Sequence, residues 1–246
     1  ILNQGDRIMI DKMVGKTEVA LYGLAYSIGM LVQLFISGMN SALTPWMYSK
    51  IKKGDIRSMR KVLQLLSVVV VGIAVALMLI SPELVLIFGS PKYREAVYVI
   101  PPVAASVFFI FIYNILSMPQ FYYEKTQFLM AASMAAAGAN VVLNFIFIRL
   151  FGYIAAGYTT LACYMLYSVG HYIVSKRILV NEGIQENLMS PGFLVACSVF
   201  LIGASIICNL IFPYRILRYA ILLASAGLVF WKKELLLKTM ADIRKK

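Results

Sequence analysis

Residues 96–123 read AVYVIPPVAASVFFIFIYNILSMPQFYY, a run of 28 residues without Asp, Glu, Lys or Arg. A helix needs roughly 20 mostly apolar residues to cross the hydrocarbon core of a bilayer. This stretch therefore predicts a membrane-spanning helix, and it is the pattern to look for in the rest of the chain.

Five further runs also lack charged residues, and they cover residues 19–49, 62–82, 126–148, 150–175 and 187–214. The chain of 246 residues is 61% hydrophobic and 14% charged, with a mean hydropathy of +0.81. Soluble domains are about 45–50% apolar and about 25% charged. We therefore predict an all-α fold, a polytopic transmembrane helical bundle.

Hydrophobic periodicity and the turn signals between the runs predict eight helices, the first of them partial. Their predicted ranges are about 1–14, 19–49, 60–81, 96–118, 126–149, 153–176, 191–212 and 215–237. The last is the weakest, because Arg218, Lys232 and Lys233 interrupt it. The chain starts with Ile and its first helix is short, so we expect that an N-terminal part of the protein precedes it.

The net charge of +12 is distributed unevenly between the two sides of the predicted bundle. With loops assigned alternately to the two sides, one side has 15 Lys and Arg residues and the other has seven. Positive charge accumulates in cytoplasmic loops. The C-terminus is therefore predicted to be cytoplasmic, and the turn at Gly15 external. This bias accounts for the basic composition, so no nucleic-acid partner is expected.

Motifs that carry enzyme chemistry are absent from the sequence. It has no P-loop, no glycine-rich dinucleotide turn and no HExxH motif, and His171 is its only histidine. The three cysteines Cys163, Cys197 and Cys208 lie in apolar runs, which is typical of core residues. We therefore predict a protein that is not an enzyme, with no catalytic and no metal-binding residues. His171 is interpreted as a packing residue, with a proton relay as the alternative.

The N-terminal segment NQGDRIMIDKMVG, residues 3–15, places Asp6 and Arg7 side by side within a predicted membrane helix. At 1.5 Å per residue, Asp6 lies about 8–14 Å from the helix end, and a charge at such depth costs roughly 2.5–3.5 kcal/mol. Helical spacing puts Asn3, Arg7 and Asp11 on one face, with Asp6 beside Asn3. Two interpretations stay open: a substrate or ion pathway, or an ion pair that locks two helices together.

Five further polar residues lie inside predicted spans. Gln33 and Asn40 are seven residues apart in one helix, Asn140 and Asn144 are four apart in another, and Asn114 lies alone in a third. Spacings of four and seven put both members of a pair on one helix face. These side chains either make interhelical hydrogen bonds or line a polar transport cavity.

Two stretches resemble a known family. DRIMIDKMVGKTEVALYGLAYSIGMLVQLFISGMNSALTPWMYSKIKKGD, from Asp6 with Arg7 through Tyr22 and Tyr26 to the basic loop, resembles the start of the second lobe of bacterial polysaccharide-biosynthesis flippases. PELVLIFGSPKYREAVYVIPPVAAS resembles a later loop of that lobe. These flippases belong to the multidrug/oligosaccharidyl-lipid/polysaccharide (MOP) exporter superfamily. The resemblance covers about residues 1–120.

This resemblance implies the C-terminal half of a two-lobe transporter. Residues 1–176 would be the second six-helix lobe, with its first helix truncated, and residues 177–246 two additional C-terminal transmembrane helices with a basic cytoplasmic tail. Such proteins move a lipid-linked oligosaccharide across the bacterial cytoplasmic membrane by alternating access. No cofactor is expected beyond the H⁺ or Na⁺ whose gradient would drive transport.

The resemblance also assigns roles and partners. Arg7 would contact the diphosphate of the polyprenyl carrier, and Asp6 would orient Arg7 or couple a cation. The remaining candidates for the transport cavity are Asn3, Gln33, Asn40, Asn114, Asn140 and Asn144. The expected partners are the lipid-linked oligosaccharide, the lipid bilayer, and a polysaccharide polymerase with other assembly enzymes.

Three alternatives stay open. A multidrug/cation antiporter of the same superfamily would need a more acidic and more apolar cavity. A membrane-embedded sugar transferase or polymerase would need a large exterior loop or deep catalytic carboxylates. A purely structural membrane partner would give the adjacent charges Asp6 and Arg7 no transport role.

Overall fold

The computed structural model of the chain describes residues 2–231, without the side chains of residues 2, 3, 226 and 228–231. Two predictions lie outside these residues: the cavity role of the Asn3 side chain, and the basic tail from Lys232 onward. The described range is helical and contains no β-strand. The predicted all-α fold is confirmed.

The helices are α1 Leu2–Met13, α2 Lys16–Gly29, α3 Leu31–Lys52, α4 Ile56–Phe88, α5 Ile100–Tyr122, α6 Gln127–Phe151, α7 Ala155–Asn181, α8 Pro191–Ile211 and α9 Arg215–Trp231. A 3₁₀ helix, Pro91–Val99, joins α4 to α5. Only Met30 separates α2 from α3. Counted as one interrupted helix, α2 and α3 give the eight helices that the sequence predicts.

The interruption at Met30 differs from the single predicted helix at residues 19–49. Gly29 packs so closely on α5 that an added Cβ would lie 2.6 Å from Val103 Cγ1. The chain bends where this close contact holds it, whereas Pro45 lies inside α3 without ending it. Proline in a helix removes one hydrogen bond, and its position near the end of α3 limits the effect.

Helix α4 is longer than its predicted range of 60–81. Asp55 caps its start, since Asp55 Oδ1 accepts a hydrogen bond from the Ser58 amide at 3.2 Å. At the other end α4 continues past Pro82. Proline leaves the carbonyl of Met78 without its backbone donor, and the Ser81 hydroxyl donates to this carbonyl at 2.8 Å.

Most of the charge-free run 96–123 forms α5, the central helix of the bundle. Every residue from 99 to 112 is buried, and α5 packs against α3, α4, α7 and α8. A helix that is hydrophobic all round is expected at the centre of such a bundle. By contrast, α6 buries only four residues and α8 only three, as is expected of helices that face lipid.

In the described part of the chain, five segments are long and apolar enough to cross a membrane. They are Lys16–Lys52, Ile56–Phe88, Pro91–Tyr122, Gln127–Phe151 and Pro191–Ile211. The sequence had predicted six such segments from its charge-free runs. The sixth run corresponds to most of α7, whose Tyr, Thr, Ser and Gly residues lower its hydropathy. Because α7 packs against α5 and α6, these less apolar side chains face protein.

Arg218 does not interrupt the last helix, as the sequence had suggested, but anchors it. Its guanidinium donates from Nη1 and Nη2 to the two carboxylate oxygens of Glu83, both at 2.8 Å. Nη1 also donates to the Leu79 carbonyl at 2.6 Å, and the Tyr219 hydroxyl donates to Glu83 at 2.9 Å. This bidentate pair fixes α9 against α4.

Candidate functional site

Asp6 lies in the interior, where α1 meets α2, α6 and α7, and its exposed fraction is 0%. Its carboxylate accepts three hydrogen bonds from neutral groups. The Tyr22 hydroxyl donates to Oδ2 at 2.6 Å and the Thr160 hydroxyl to the same oxygen at 2.9 Å. The Asn144 amide donates to Oδ1 at 2.6 Å. One carboxylate therefore connects four helices.

A second layer of hydrogen bonds holds these donors in place. Asn144 also donates to Asn140 Oδ1 at 3.2 Å, and Asn140 donates to the Thr160 hydroxyl at 3.3 Å. Thr159 donates to Asn144 Oδ1. We call these six residues the Asp6 cluster: Asp6, Tyr22, Asn140, Asn144, Thr159 and Thr160. All six are buried.

Local sequence spacing explains how the helices present these side chains. The buried residues of α6 are Ala136, Asn140, Asn144 and Ile148, which recur every four residues and so form one stripe. The two asparagines are the polar part of this stripe, and it faces α1 and α7. In α7, Thr159 and Thr160 are adjacent, so their side chains leave the helix about 100° apart and contact different members of the cluster.

The electrostatics of the cluster are unbalanced. Within residues 2–231, Asp6 forms no ion pair with Lys, Arg or His. A buried carboxylate without a cation is strongly unfavourable unless hydrogen bonds, a proton or a bound cation compensate it. The oxygens beside the carboxylate come from amides and hydroxyls, which are hard ligands.

The ligand set also limits which ion fits. In the described part of the chain, no group of three or more His, Cys, Asp or Glu side chains could hold a metal ion. The cluster offers one negative charge surrounded by neutral oxygens. One charge balances a proton or a monovalent cation, whereas a divalent ion would leave a net positive charge buried in the bundle.

Arg7 is separated from Asp6 although the two are adjacent in sequence. Neighbouring helix positions point about 100° apart, and Arg7 lies over α2, where a Cβ added at Gly23 would be 3.8 Å from the guanidinium carbon. Arg7 is half-buried. Among the described side chains its Nε has no hydrogen-bond partner, and no salt bridge includes Arg7.

The remaining predicted cavity residues lie elsewhere. Gln33, Asn40 and Asn114 are half-buried in α3 and α5. The backbone carbonyls of Asn40 and Asn114 accept bonds from Thr44 and Ser117. Thus three of the predicted residues, Asp6, Asn140 and Asn144, come together, and a role in transport remains a prediction for all of them.

Sequence reasoning missed Thr159 and Thr160 as members of the cluster, and took Tyr22 only as part of a family pattern. The available signal was a pair of adjacent threonines within the uncharged run 150–175, about four turns before its end. Hydroxyls inside a membrane helix usually bond to their own backbone, as Thr159 does to the Ala156 carbonyl at 3.0 Å. Whether these hydroxyls also donate to side chains of other helices, as Thr159 and Thr160 do, depends on which helix packs beside α7.

His171 lies in a separate buried region. Its Nδ1 is 2.8 Å from Gln120 Nε2, and the rings of Tyr113, Phe128 and Tyr167 surround the imidazole at centroid distances of 4.5–5.9 Å. This environment fits the packing interpretation. The alternative, a proton relay, is left untested by these contacts.

Comparisons with known proteins identify the family. The family model described as MatE matches residues 1–146. A protein from Haemophilus influenzae called "Uncharacterized membrane protein" is 31% identical over 134 residues, which are 51% of this chain and 32% of the relative. The chain thus spans about a third of the length of that relative. No solved structure matches. With more than half of its residues matched by the family model, this chain belongs to the MatE family of membrane transporters.

Proposed function

We propose that this chain is part of a flippase that carries a polyprenyl-diphosphate-linked oligosaccharide across the bacterial cytoplasmic membrane for polysaccharide biosynthesis. Residues 1–176 would form the second lobe, and the rest two further helices with a cytoplasmic tail. Membership of a transporter family and the resemblance of residues 6–55 and 82–106 to flippases support this proposal.

The observation that carries the proposal is the state of Arg7. An arginine in a membrane helix normally finds an acidic or carbonyl partner, yet in residues 2–231 none is recorded for Arg7, although a carboxylate is the preceding residue. A guanidinium binds two oxygens of a phosphate at once. We therefore assign to Arg7 the diphosphate of the lipid carrier.

We further propose that the Asp6 cluster couples transport to a gradient of H⁺ or Na⁺. Uptake of either ion would neutralise the carboxylate and rearrange hydrogen bonds that join α1, α2, α6 and α7. Four helices held by one titrating or cation-binding group form an element that an ion can bias between two conformations. Alternating access requires such an element.

A multidrug/cation antiporter is the second candidate, and one observation favours it. A buried carboxylate without a cation, such as Asp6, would suit a cationic substrate as well as a coupling ion. The two functions differ in what Arg7 does, because a positive side chain would repel a cationic substrate and attract a diphosphate.

Substitution of Arg7 in the full-length protein tests the proposal. In a strain that depends on this protein for surface polysaccharide, we expect Arg7→Ala to abolish surface polymer while the amount of inserted protein stays normal. Arg7→Lys should retain part of the activity, because it keeps the charge but loses the bidentate geometry. Lys12→Ala, an exposed charge on the same helix, is the matched control and should have no effect.

Full polymer export by Arg7→Ala would remove Arg7 from the mechanism. Export of cationic dyes by the wild type, increased in Arg7→Ala, would favour the antiporter. Polymerase and assembly-enzyme partners, proposed on the family resemblance, can be sought by crosslinking in the same strain.

A further inference from the structure

Two neighbouring cavities share the side chain of Tyr172 near the end of α7. The first, about 180 Å³, is an apolar slot between α5, α7 and α8, and its walls include Phe108, Ile112, Met165, Val169 and Leu194. The second, about 430 Å³, continues along α7 and is lined by Tyr172, Ile173, Lys176, Arg177, Val180 and Asn181. An apolar slot thus leads into a basic cavity.

The junction between them carries an unused polar group. The Tyr172 hydroxyl is buried and has no hydrogen-bond partner among the described residues. The point where the slot meets the basic cavity therefore lies beside a buried hydroxyl whose hydrogen-bonding capacity is unused.

The surroundings leave this basic character uncompensated. Glu182, the acidic residue that directly follows α7, is already paired with Lys125 at 2.8 Å. Within residues 2–231, neither Lys176 nor Arg177 takes part in a salt bridge. The cavity therefore offers the positive charges of Lys176 and Arg177 to an anion.

We propose that the two cavities form a binding site for one anionic phospholipid of the bilayer. Its phosphate would lie against Lys176 and Arg177, and one acyl chain would pass Tyr172 and enter the slot toward Phe108. Basic residues at the end of a membrane helix attract anionic headgroups, and the apolar walls supply the contact that distinguishes a bound lipid from a diffuse surface attraction.

The size of the slot agrees with this occupant. The slot, of about 180 Å³, has room for several water-sized groups, and its apolar walls suit a segment of one hydrocarbon chain. The site also lies apart from Arg7, because α8 packs against α4 and α5 whereas α1 packs against α2 and α6. The lipid would thus be a constituent of the protein–membrane contact, and the proposal stands independently of the transported substrate.

Native mass spectrometry of the purified full-length protein tests the site. Phosphatidylglycerol and phosphatidylcholine with identical acyl chains are titrated against the wild type and against Lys176→Gln/Arg177→Gln. We expect phosphatidylglycerol to bind about tenfold more tightly to the wild type, and the double variant to lose this preference. Lys52→Gln/Lys53→Gln, an exposed basic pair on another loop, is the control and should retain it.

The slot is tested separately. Ser198→Phe fills it, and Val169→Trp narrows its rim from an exposed position with less risk to folding; each should weaken binding of both lipids. Equal binding of the two lipids by the wild type, or unchanged binding by both slot variants, would overturn the proposal. An equal loss of the preference for phosphatidylglycerol in Lys52→Gln/Lys53→Gln would also overturn it. So would tighter binding of undecaprenyl phosphate than of phosphatidylglycerol.

Discussion

Two acidic side chains of this protein, one half-buried and one fully buried, have opposite surroundings. Glu83, on α4, faces a guanidinium that matches both of its oxygens. Asp6, on α1, faces a hydroxyl, an amide and a second hydroxyl, all neutral. The first carboxylate is compensated by a permanent charge of the protein, and the second is compensated only by dipoles.

This difference separates a structural from a functional role for a buried charge. A fixed ion pair leaves no net charge for a mobile ion to neutralise, so its role is to hold α9 on α4. A carboxylate with neutral donors retains a full negative charge, which a proton or a monovalent cation can neutralise. The comparison therefore predicts that Glu83 substitutions alter stability, and Asp6 substitutions alter transport.

The largest expected effect is on the ion pair. Glu83→Leu leaves Arg218, whose side chain is 4% exposed, as an uncompensated buried charge, and we expect a loss of about 4 kcal/mol in the free energy of unfolding. Arg218→Met should cost less, because the remaining Glu83 is 27% exposed and can reach water. Unfolding of the purified protein in detergent measures both.

The double variant Glu83→Leu/Arg218→Met is the control for this prediction. Replacing both charges with apolar groups is often close to neutral, so we expect most of the lost stability to return. A double variant as unstable as Glu83→Leu would show that the charges do more than compensate each other. A large loss of transport in a stable double variant would contradict the structural role given to this pair.

The next effect is on transport. Asp6→Asn keeps the size of the side chain but removes the charge, and it replaces one of the two acceptor oxygens with an NH₂ donor. We expect ion-dependent transport to fall by about 100-fold, the effect of losing roughly 2.7 kcal/mol of a charge interaction at 1.36 kcal/mol per factor of ten. Transport measured with and without the H⁺ or Na⁺ gradient is the test. Asp11→Asn, exposed on the same helix, is the control.

An Asp6→Asn variant that still responds fully to the gradient would contradict ion coupling at this site. In that case the two carboxylates would differ only in their partners and not in their role. A variant that fails to insert would be replaced by Asp6→Glu, which keeps the charge and should preserve the ion response at altered affinity.

Whether a feature of these two sites could be predicted from sequence depends on whether it lies within one helix or joins two helices. The shared face of Asn140 and Asn144 follows from spacing within one helix and was predicted correctly, whereas the depth of Asp6 in the membrane stays a prediction. The contacts of Asp6 with Thr160 and Tyr22 join separate helices, and no spacing rule within a helix reaches across that gap. The number of helices could be predicted for the same reason, because the length of a charge-free run is read from one continuous segment of the sequence.

The places where sequence reasoning failed share a physical cause. Arg218 was taken as an interruption of the last helix because a lone charge in an apolar run is unfavourable, and its partner Glu83 lies on α4, 135 residues earlier. The break at Met30 follows from the contact of Gly29 with Val103 on α5. In both cases a tertiary contact overrides the local pattern.

A smaller effect tests whether the neutral donors around Asp6 set its affinity for the coupling ion. Tyr22→Phe removes one hydrogen bond to the Asp6 carboxylate, and bonds to charged groups contribute about 1.5–3 kcal/mol. We expect the apparent affinity for the coupling ion to change by about tenfold with little loss of stability. Tyr26→Phe, whose hydroxyl has no partner among the described residues, is the matched control and should leave the affinity unchanged.

The smallest effect concerns a third buried charge, at the edge of the bundle, where Lys50 pairs with Asp55 at 2.6 Å. Asp55→Asn removes the charge and preserves the cap of α4, since Asn and Asp cap equally well. The Lys50 side chain is 6% exposed, but its flexible stem can carry the ammonium to water at the helix end. We therefore expect a loss of about 1 kcal/mol in unfolding free energy, far below that of Glu83→Leu.

A loss as large as that of Glu83→Leu would contradict this expectation. It would mean that the cost of an unpaired charge does not depend on its depth in the bundle, which is the difference between Lys50 and Arg218. The contrast between Asp6 and Glu83 would then rest on hydrogen bonding alone.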